Sequence, residues 1–281
     1  MLADLHVHTT ASDGTDSPEE VVARAFTVGL SALAIADHDT LEGIQPAMEE
    51  GNRRNIEVIP GIELGTDYGG KEIHILGYMI DLEDRLLLKS LTYFRQTRRD
   101  RVNKIIKRLN RLGFPITRER VLEIAGSGSV GRPHIARAMV ETGMVLSMEE
   151  AFDRYIGEGK PGFEPRVKCT PAQAVGIIIQ SGGVPVLAHP GLCQSDELIA
   201  ALLPEGLAGI EVHHPGHTPE MEKHYLKVCE QYCLLATGGS DYHGMENRKH
   251  NVLGARTVQY QTVERIKAVA FSNRNKAGYR N

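Results

Sequence analysis

The chain has 281 residues, with 32 lysines and arginines against 36 acidic residues, which gives a formal net charge of −4. A chain of this length forms one α/β barrel or two ordinary domains, and its net negative charge argues against a protein that coats nucleic acid. No uninterrupted apolar run approaches the roughly 20 residues of a membrane span. The four cysteines form no Cys-x-x-Cys pair, so we expect a cytoplasmic protein without disulfides.

The first predicted element is a β-strand that carries two histidines. In Asp-Leu-His-Val-His, residues 4–8, the side chains of His6 and His8 project to one side because alternate residues of a strand face the same way. By itself, such a pair is more often partly exposed or hydrogen-bonded than bound to a metal. The metal interpretation therefore depends on further ligands elsewhere in the chain.

Histidines and carboxylates recur at further apolar runs that predict strands. Burying a charge or an imidazole at a strand end is costly unless the group is paired, hydrogen-bonded or bound to a metal. The arrangement repeats too regularly for chance placement, so the sequence predicts a polynuclear metal site. The side chains concerned belong to Asp37, His38, Asp39, Glu63, His74, His189, His213, Asp241 and His243.

Segments with helical signals lie between these runs. Ser17-Pro18-Glu19-Glu20 has the N-cap, the N1 proline and the acidic first turn of a helix start, and Thr170-Pro171 opens a second helix. Strands that alternate with helices imply a parallel sheet. In an α/β barrel the active site lies at the carboxyl ends of the strands, where the histidines and carboxylates fall here.

The middle of the chain is strongly basic and predicts an amphipathic helix. Its apolar stripe is spaced i, i+3, i+4, i+7 and i+10, and comprises Val102, Ile105, Ile106, Leu109 and Leu112. Its basic face comprises Arg95, Arg98, Arg99, Arg101, Lys104, Lys107, Arg108 and Arg111. This face is either a solvated surface or an electrostatic guide for a polyanionic substrate.

The basic helix belongs to a stretch, residues 85–159, that interrupts the strand–helix alternation and predicts an inserted helical domain. Within it, residues 131–136 predict a glycine turn into a helix start, where backbone N–H groups and the helix dipole favour an anion. Arg132 and His134 flank this turn and are candidate phosphate ligands, with a plain surface cap as the alternative. Candidates for a second phosphate pocket, with solvated loop cations as the alternative, are Lys160, Arg166 and Lys168.

Together these motifs resemble the PHP superfamily, named for polymerase and histidinol phosphatase. The resemblance covers essentially the whole chain and is carried by Asp-Leu-His-Val-His, Ser-Asp-Gly-Thr, Ala-Asp-His-Asp, Gly-Ile-Glu, His-Ile-Leu-Gly-Tyr, Ala-His-Pro and Ser-Asp-Tyr-His. It implies an α/β fold, a distorted (β/α)7 barrel formed by residues 1–84 and 160–281. Residues 85–159 would then be a helical insertion that recognises the substrate.

The resemblance also implies three divalent cations per chain. One would be held by His6, His8, Glu63 and Asp241. A second would share Glu63 and add His74 and His189, and a third would take Asp13, His38 and His243. Mn²⁺ is the first candidate, with Fe²⁺, Zn²⁺ and Mg²⁺ as alternatives. Candidates to orient ligand imidazoles, with solvent-facing caps as the alternative, are Asp4, Asp37 and Asp39.

Residues 131–136 are similar to a segment in one branch of the superfamily. That branch removes the 3′-phosphate from nucleoside 3′,5′-bisphosphates, and some members trim 5′-phosphorylated short RNA from the 5′ end. The resemblance implies a nucleotide or short single-stranded RNA substrate and a metal-activated hydroxide. The implied catalytic residues are Glu63, Asp241 and His213, with substrate contacts from Arg132, His134 and His213, where His213 is the candidate proton donor.

Two alternative functions remain at this point. A histidinol-phosphate phosphatase would belong to the same superfamily, but the basic insertion counts against so small and singly phosphorylated a substrate. A non-catalytic PHP module would bind metal for structure or assist a polymerase. Such a module would be expected to have lost some ligands, whereas every ligand position here is filled by a competent residue.

Overall fold

The computed structural model describes residues 1–126, 128–165, 169–193, 196–244 and 252–276. Over these residues eight strands form one sheet in the order β7-β6-β5-β4-β3-β2-β1-β8. They are β1 (Leu2–Val7), β2 (Ala32–Ile35), β3 (Glu57–Tyr68), β4 (Lys71–Tyr78), β5 (Val184–Leu187), β6 (Gly209–His213), β7 (Leu235–Gly238) and β8 (Val258–Gln259). The first seven are barrel strands, and the two-residue β8 pairs antiparallel with β1.

The sheet is mixed rather than parallel. β1, β2 and β3 run parallel, as do β5, β6 and β7, but β4 runs antiparallel to both of its neighbours. The prediction of a fully parallel sheet is therefore wrong for β4. Gly69 and Gly70, both at positive φ, join β3 to β4 through a tight hairpin where a helical crossover was expected.

The two ends of the sheet approach each other, so the barrel is nearly closed. The amide of His8 donates to the carbonyl of Tyr242 at 2.9 Å, and the amide of Ser240 donates to the Asp4 carboxylate at 2.9 Å. Gly239 permits this approach, because a Cβ atom there would lie 2.3 Å from the amide nitrogen of His6. The predicted α/β barrel is confirmed.

Helices surround the barrel and fill the middle of the chain. They are α1 (Pro18–Thr27), α2 (Ile44–Arg54), α3 (Arg85–Arg111), α4 (Arg118–Ala125), α5 (Arg132–Glu141), α6 (Met148–Ala151), a π-helical turn (Phe152–Ile156), α7 (Pro171–Gln180), α8 (Pro190–Cys193), α9 (Asp196–Leu202), α10 (Pro219–Tyr232) and α11 (Tyr260–Lys276). The helix starts predicted at Ser17 and Thr170 are confirmed, each with a capping box, and α5 begins at Arg132 as predicted. No helix in these described ranges is both long and apolar enough to cross a bilayer.

The helices between β4 and α7 have a hydrophobic cluster of their own. It includes Val102, Ile105 and Leu109 of α3 and Ile135 of α5. The first turns of α3 belong elsewhere, because Leu87 and Leu91 join the larger cluster of the barrel. The separate cluster supports a division into a barrel, residues 1–84 and 160–281, and an insertion, residues 85–159, although this boundary remains a prediction.

Candidate metal centre

The carboxylate of Glu63 lies at the middle of a cluster of histidines. Glu63 is only 1% exposed, and its two oxygens face different sets of imidazole rings. Oε1 lies 2.7 Å from His74 and 3.2 Å from His189, and Oε2 lies 3.0 Å from His38, 3.3 Å from His8 and 3.4 Å from His6. One buried carboxylate therefore connects histidines from several strands of the barrel.

Three groups of side chains in the described residues place their ligand atoms within 4.8 Å of one another. The groups are His6, His8 and Asp241; His38, Glu63 and His74; and His8, Asp13, His38 and His243. With His189, which lies against Glu63, they contain all nine residues predicted as ligands. His8 and His38 each lie in two groups, so the cluster is more tightly connected than three separate ligand sets. The division among individual cations remains a prediction.

The backbone is in an unusual conformation at two of the predicted ligands, His189 and Asp241, and at the neighbouring Asp39. Asp39, His189 and Asp241 have φ angles of 54°, 29° and 51°, in the left-handed region that residues other than glycine rarely adopt. Each such conformation costs on the order of 1–3 kcal/mol of folding free energy, and it persists only where surrounding contacts hold it. His189 lies two residues after the end of β5 and Asp241 three residues after the end of β7, so the strain lies where the barrel turns its predicted ligands inward.

The cluster has the properties of a site for divalent cations. Imidazole and carboxylate without thiolate form a donor set that suits Mn²⁺, Fe²⁺ and Zn²⁺. Among the described residues, Nδ1 of His8 and Nδ1 of His189 are buried without a hydrogen-bond partner, which is costly for polar atoms. Nδ1 of His8 lies 3.8 Å from the Asp13 carboxylate, so a cation between them would pair with both groups.

The charges of the cluster also suit metal binding. Burial raises the pKa of Glu63, but the surrounding imidazoles lower it further and hold it well below its usual value. Burial lowers the pKa of His8 to about 4, which leaves its ring neutral. Burial also lowers the pKa of His243, but Asp13 and Asp241 more than offset this and raise it to about 9. That proton would have to leave before the ring could bind a cation.

Comparison with known proteins identifies the family. The sequence profile of the PHP domain matches residues 4–127. The 5′-3′ exoribonuclease Rnm of Escherichia coli is 37% identical over 250 residues, which cover 86% of this chain and 85% of that protein. The chain belongs to the PHP family. The membership predicted from the sequence is confirmed.

Other PHP relatives are named for different phosphate esters. The phosphoribosyl 1,2-cyclic phosphate 1,2-diphosphodiesterase of Eggerthella lenta is 34% identical over 90% of this chain and 98% of its own length. The 3′,5′-nucleoside bisphosphate phosphatase of Chromobacterium violaceum is 31% identical over 85% of this chain and 86% of its own. A crystal structure assigned to the metal-dependent phosphoesterases, from Bifidobacterium adolescentis, has a TM-score of 0.89 at 32% identity, with 95% and 96% of the two chains covered.

Glu211 is a part of the PHP site for which the sequence suggested no role. It is completely buried in β6, and its Oε1 lies 2.9 Å from Nδ1 of His6. Its Oε2 accepts a hydrogen bond of 2.9 Å from the amide of His189. A carboxylate on the far nitrogen of a metal-binding histidine fixes the ring and its tautomer. The available sequence signal was an acidic residue within an otherwise apolar strand.

The three aspartates predicted to orient imidazoles hold other groups in place. Asp4 accepts hydrogen bonds from the amides of His6, Ser240 and Gly254. Asp37 accepts from the amide and hydroxyl of Thr9 and from the hydroxyl of Ser12, and Asp39 forms an ion pair with Arg98. All three aspartates are buried, so the alternative of solvent-facing caps is wrong. Through these contacts the three aspartates fix backbone segments and loops around the PHP site.

The structure brings His214, rather than His213, to the cluster. Nδ1 of His213 lies 3.1 Å from Glu222 on α10, and its side chain is one-third exposed. Nε2 of His214 lies 3.4 Å from Oδ2 of Asp241, and its ring centroid is 5.2 Å from that of His189. His214 is buried, although its sequence position suggested only a loop residue.

Arg132 and His134 reach different neighbours. Arg132 donates to Oε2 of Glu72 at 2.7 Å, and Oε1 of Glu72 lies 3.4 Å from Nε2 of His74. Nδ1 of His134 instead accepts from the amide of Gly131 at 2.9 Å. Glu72 therefore links an arginine of the insertion to a histidine of the metal centre.

The basic face of α3 is largely neutralised by carboxylates. Five of its eight cations form ion pairs: Arg95 with Glu42, Arg98 with Asp39, Arg101 with Glu72, and both Lys104 and Arg108 with Glu164. Arg98 and Arg101 are buried rather than exposed. Of the cations that follow the insertion, Lys160 is exposed, and Arg166 and Lys168 lie outside the described residues.

Proposed function

We propose that this PHP enzyme removes the 3′-phosphate from nucleoside 3′,5′-bisphosphates. As a member of a family whose matched relatives hydrolyse phosphate esters, the chain is a phosphoesterase. The observation that carries the proposal is the gathering of nine histidine, aspartate and glutamate side chains around Glu63. The bisphosphate is favoured because the relatives include a 3′,5′-nucleoside bisphosphate phosphatase and because cations of the insertion lie beside the centre.

Three divalent cations, with Mn²⁺ as the first candidate, would be held by the nine ligands, and when bound they supply a water of lowered pKa and neutralise phosphoryl charge. Glu63 and Asp241 are assigned to holding this centre.

His214 is better placed than His213 to protonate the leaving oxygen. Its Nδ1 accepts from the amide of Gly216 at 3.0 Å, which leaves Nε2, 3.4 Å from Oδ2 of Asp241, as the ring nitrogen that faces the centre.

Short substrates are favoured over long RNA. Guidance of a polyanion requires uncompensated positive charge, and five of the eight basic side chains on α3 already face carboxylates. A mononucleotide or the 5′ end of a short RNA needs only the groups near the centre. The predicted cytoplasmic location agrees with such substrates and remains a prediction.

The test is phosphate release from adenosine 3′,5′-bisphosphate by the purified chain with Mn²⁺. Histidinol phosphate and a 5′-phosphorylated oligoribonucleotide are assayed in parallel, each with and without chelator. We expect chelator-sensitive turnover of the bisphosphate and its loss in Glu63→Gln, which keeps the size of the side chain but removes its charge. The matched control is Glu49→Gln, on the exposed face of α2.

Other outcomes would redirect the proposal. Turnover of histidinol phosphate alone would assign the chain to the histidinol-phosphate phosphatases. Bound metal without turnover of any of the three compounds would contradict the proposal and favour a non-catalytic module. Processing of the oligoribonucleotide beside the bisphosphate would extend the activity to RNA, as in the Escherichia coli relative.

A further inference from the structure

His217 is a buried histidine in the loop between β6 and α10, and none of the three ligand groups among the described residues includes it. Its side chain is 4% exposed, and its ring centroid lies 5.5 Å from that of Tyr225. A buried imidazole without hydrogen-bond partners would be costly. Both ring nitrogens of His217 have a partner, and both partners belong to the backbone.

These two partners determine which nitrogen of His217 carries the proton. Nδ1 lies 2.8 Å from the carbonyl oxygen of Val212, which can only accept a hydrogen bond. Nε2 lies 3.1 Å from the amide nitrogen of Gly191, which can only donate one. The ring is therefore neutral, with its proton on Nδ1 and a lone pair on Nε2. Burial is the main influence on this ring and lowers its pKa, in agreement with the neutral form.

Through these two bonds, His217 connects the ends of two neighbouring strands. Val212 lies in β6, and Gly191 lies in α8, two residues beyond His189. The parallel pairing of β5 with β6 extends only as far as Leu187 on β5. The side chain of His217 therefore continues the connection between the two strands where the backbone ladder has ended.

The turn at residues 188–191 needs such a connection because it carries His189. The φ angle of His189 is 29°, and such a conformation persists only where surrounding contacts hold it. Glu211 accepts a hydrogen bond of 2.9 Å from the amide of His189. His217 accepts from the amide of Gly191 in the same turn. The imidazole that this turn presents lies 3.2 Å from Oε1 of Glu63.

The close approach of His217 to this turn depends on a glycine. A Cβ atom at Gly191 would lie 2.7 Å from Cδ2 and 2.9 Å from Nε2 of His217, which is closer than van der Waals contact. The backbone of His217 is also fixed, because its amide donates to the carbonyl of His214 at 3.0 Å. The ring therefore has a defined position from which to hold the turn.

We propose that His217 is a positioning residue of the metal centre, which fixes the backbone of the turn at residues 188–191 and thereby the orientation of His189. His217 does not contact a cation in this role. The inference rests on the proposed function, because it takes His189 as a ligand of a bound cation.

Two substitutions separate the two hydrogen bonds of the ring. The side-chain amide of asparagine takes the place of Nδ1, so His217→Asn can still donate to Val212 but does not reach Gly191. The longer side chain of glutamine reaches the place of Nε2, so His217→Gln can still accept from Gly191. A role through the turn predicts that glutamine replaces histidine better than asparagine does.

The first test is Mn²⁺ affinity, measured by competition with a chromophoric chelator. We expect His217→Asn to lower the affinity by roughly 10-fold, as for a buried amide left without its acceptor, and His217→Gln to recover part of it. The matched control is His224→Asn on α10, where the side chain is half exposed, and its affinity should equal that of the unmodified chain.

A double-mutant cycle shows whether His217 acts through His189. In a His189→Ala background, which already lacks the predicted ligand, adding His217→Asn should change the Mn²⁺ affinity by less than about 2-fold. An equal loss of affinity in both backgrounds, with all variants folded by circular dichroism, would show that His217 acts on the fold as a whole. That result would overturn the inference.

Hydrogen exchange in chelator-treated protein separates this inference from the proposed function. We expect the Gly191 amide to exchange at least about 10-fold faster in His217→Asn than in the unmodified chain. The Gly239 amide, which donates to the carbonyl of His213 at 3.0 Å, should keep its rate. An unmodified chain that binds no Mn²⁺ would contradict the proposed function, while faster exchange at Gly191 would still support the positioning of the turn. An unchanged rate at Gly191 would overturn the inference whatever the metal content.

Discussion

The carboxylate of Glu211 and the imidazole of His6 form a pair in which one charge orients one predicted metal ligand. Their 2.9 Å contact is completely buried. We expect Glu211→Gln to lower metal affinity by about 10- to 100-fold, the usual cost of removing a partner that fixes a ligand histidine. The measurement is Mn²⁺ affinity by competition with a chromophoric chelator.

Glu205→Gln is the control for this substitution, because Glu205 is exposed in the turn after α9. Its metal affinity should equal that of the unmodified chain. An unchanged affinity in Glu211→Gln would show that His6 keeps its orientation through packing alone.

Single residues were predictable from the sequence where strand alternation holds, and not where it fails. His6 and His8 share a face, as alternation requires, and both reach the centre. Alternation would also place His213 on the face of Glu211, but the pairing of β6 with β7 is irregular between these two residues. A bulge of this kind redirects the following side chains, so His214 reaches the cluster.

At the scale of elements, the turn after β7 must lie almost against β1. We expect Gly239→Ala to destabilise the fold by about 2–4 kcal/mol, because the added Cβ would lie 2.3 Å from the amide nitrogen and 2.4 Å from Cβ of His6. Both contacts involve the strand that carries the ligands, so metal affinity should fall as well. Urea unfolding and the chelator assay measure the two effects.

Gly176→Ala is the control within a helix. Gly176 lies inside α7, and a Cβ atom there would meet nothing within 4 Å. Alanine should stabilise α7 by about 0.5–1 kcal/mol. Equal stabilities of the two variants would contradict the proposed tight closure between β7 and β1.

Features of an element that depend on neighbouring residues in the sequence were predicted well. Features that depend on contacts with distant residues were not. The start of α1 depends on residues within one turn, and it is confirmed. The charge state of α3 depends on acidic residues far away in sequence, such as Glu164 facing Lys104 and Arg108. A stripe of basic residues shows where the charges are but not which carboxylates neutralise them.

At the scale of the whole molecule, the barrel gathers into one volume residues that lie as far apart in sequence as His6 and His243. Strand–helix alternation indicated the barrel, and ligand types at strand ends indicated the centre. The alternation of strands with helices did not show that β4 is antiparallel. A Gly-Gly hairpin and a short loop before a helix carry similar turn signals in the sequence.

The gathered charges make metal binding depend on protons across the whole centre. The raised pKa values of His243, about 9, and His189, about 10, mean that both rings are protonated at pH 7.5 in the metal-free protein. A bound cation requires their neutral forms. We therefore expect Mn²⁺ binding at pH 7.5 to release protons, detected as binding heats that vary with the ionisation enthalpy of the buffer.

The same raised pKa values set how the stability of the metal-free protein varies with pH. Each protonated ring faces a carboxylate, so its contribution is complete below the ordinary histidine pKa of about 6.5 and is lost as the pH rises through 9 and 10. Chelator-treated protein should therefore unfold at a lower temperature at pH 9.5 than at pH 7. The melting temperature of the Mn²⁺-loaded protein should change less over this range, because the cations then balance the carboxylates.

Two results together would contradict this account: an equal melting temperature of the metal-free protein at these two pH values, and no proton release on Mn²⁺ binding. They would mean that the histidines of the cluster are neutral before the metal binds.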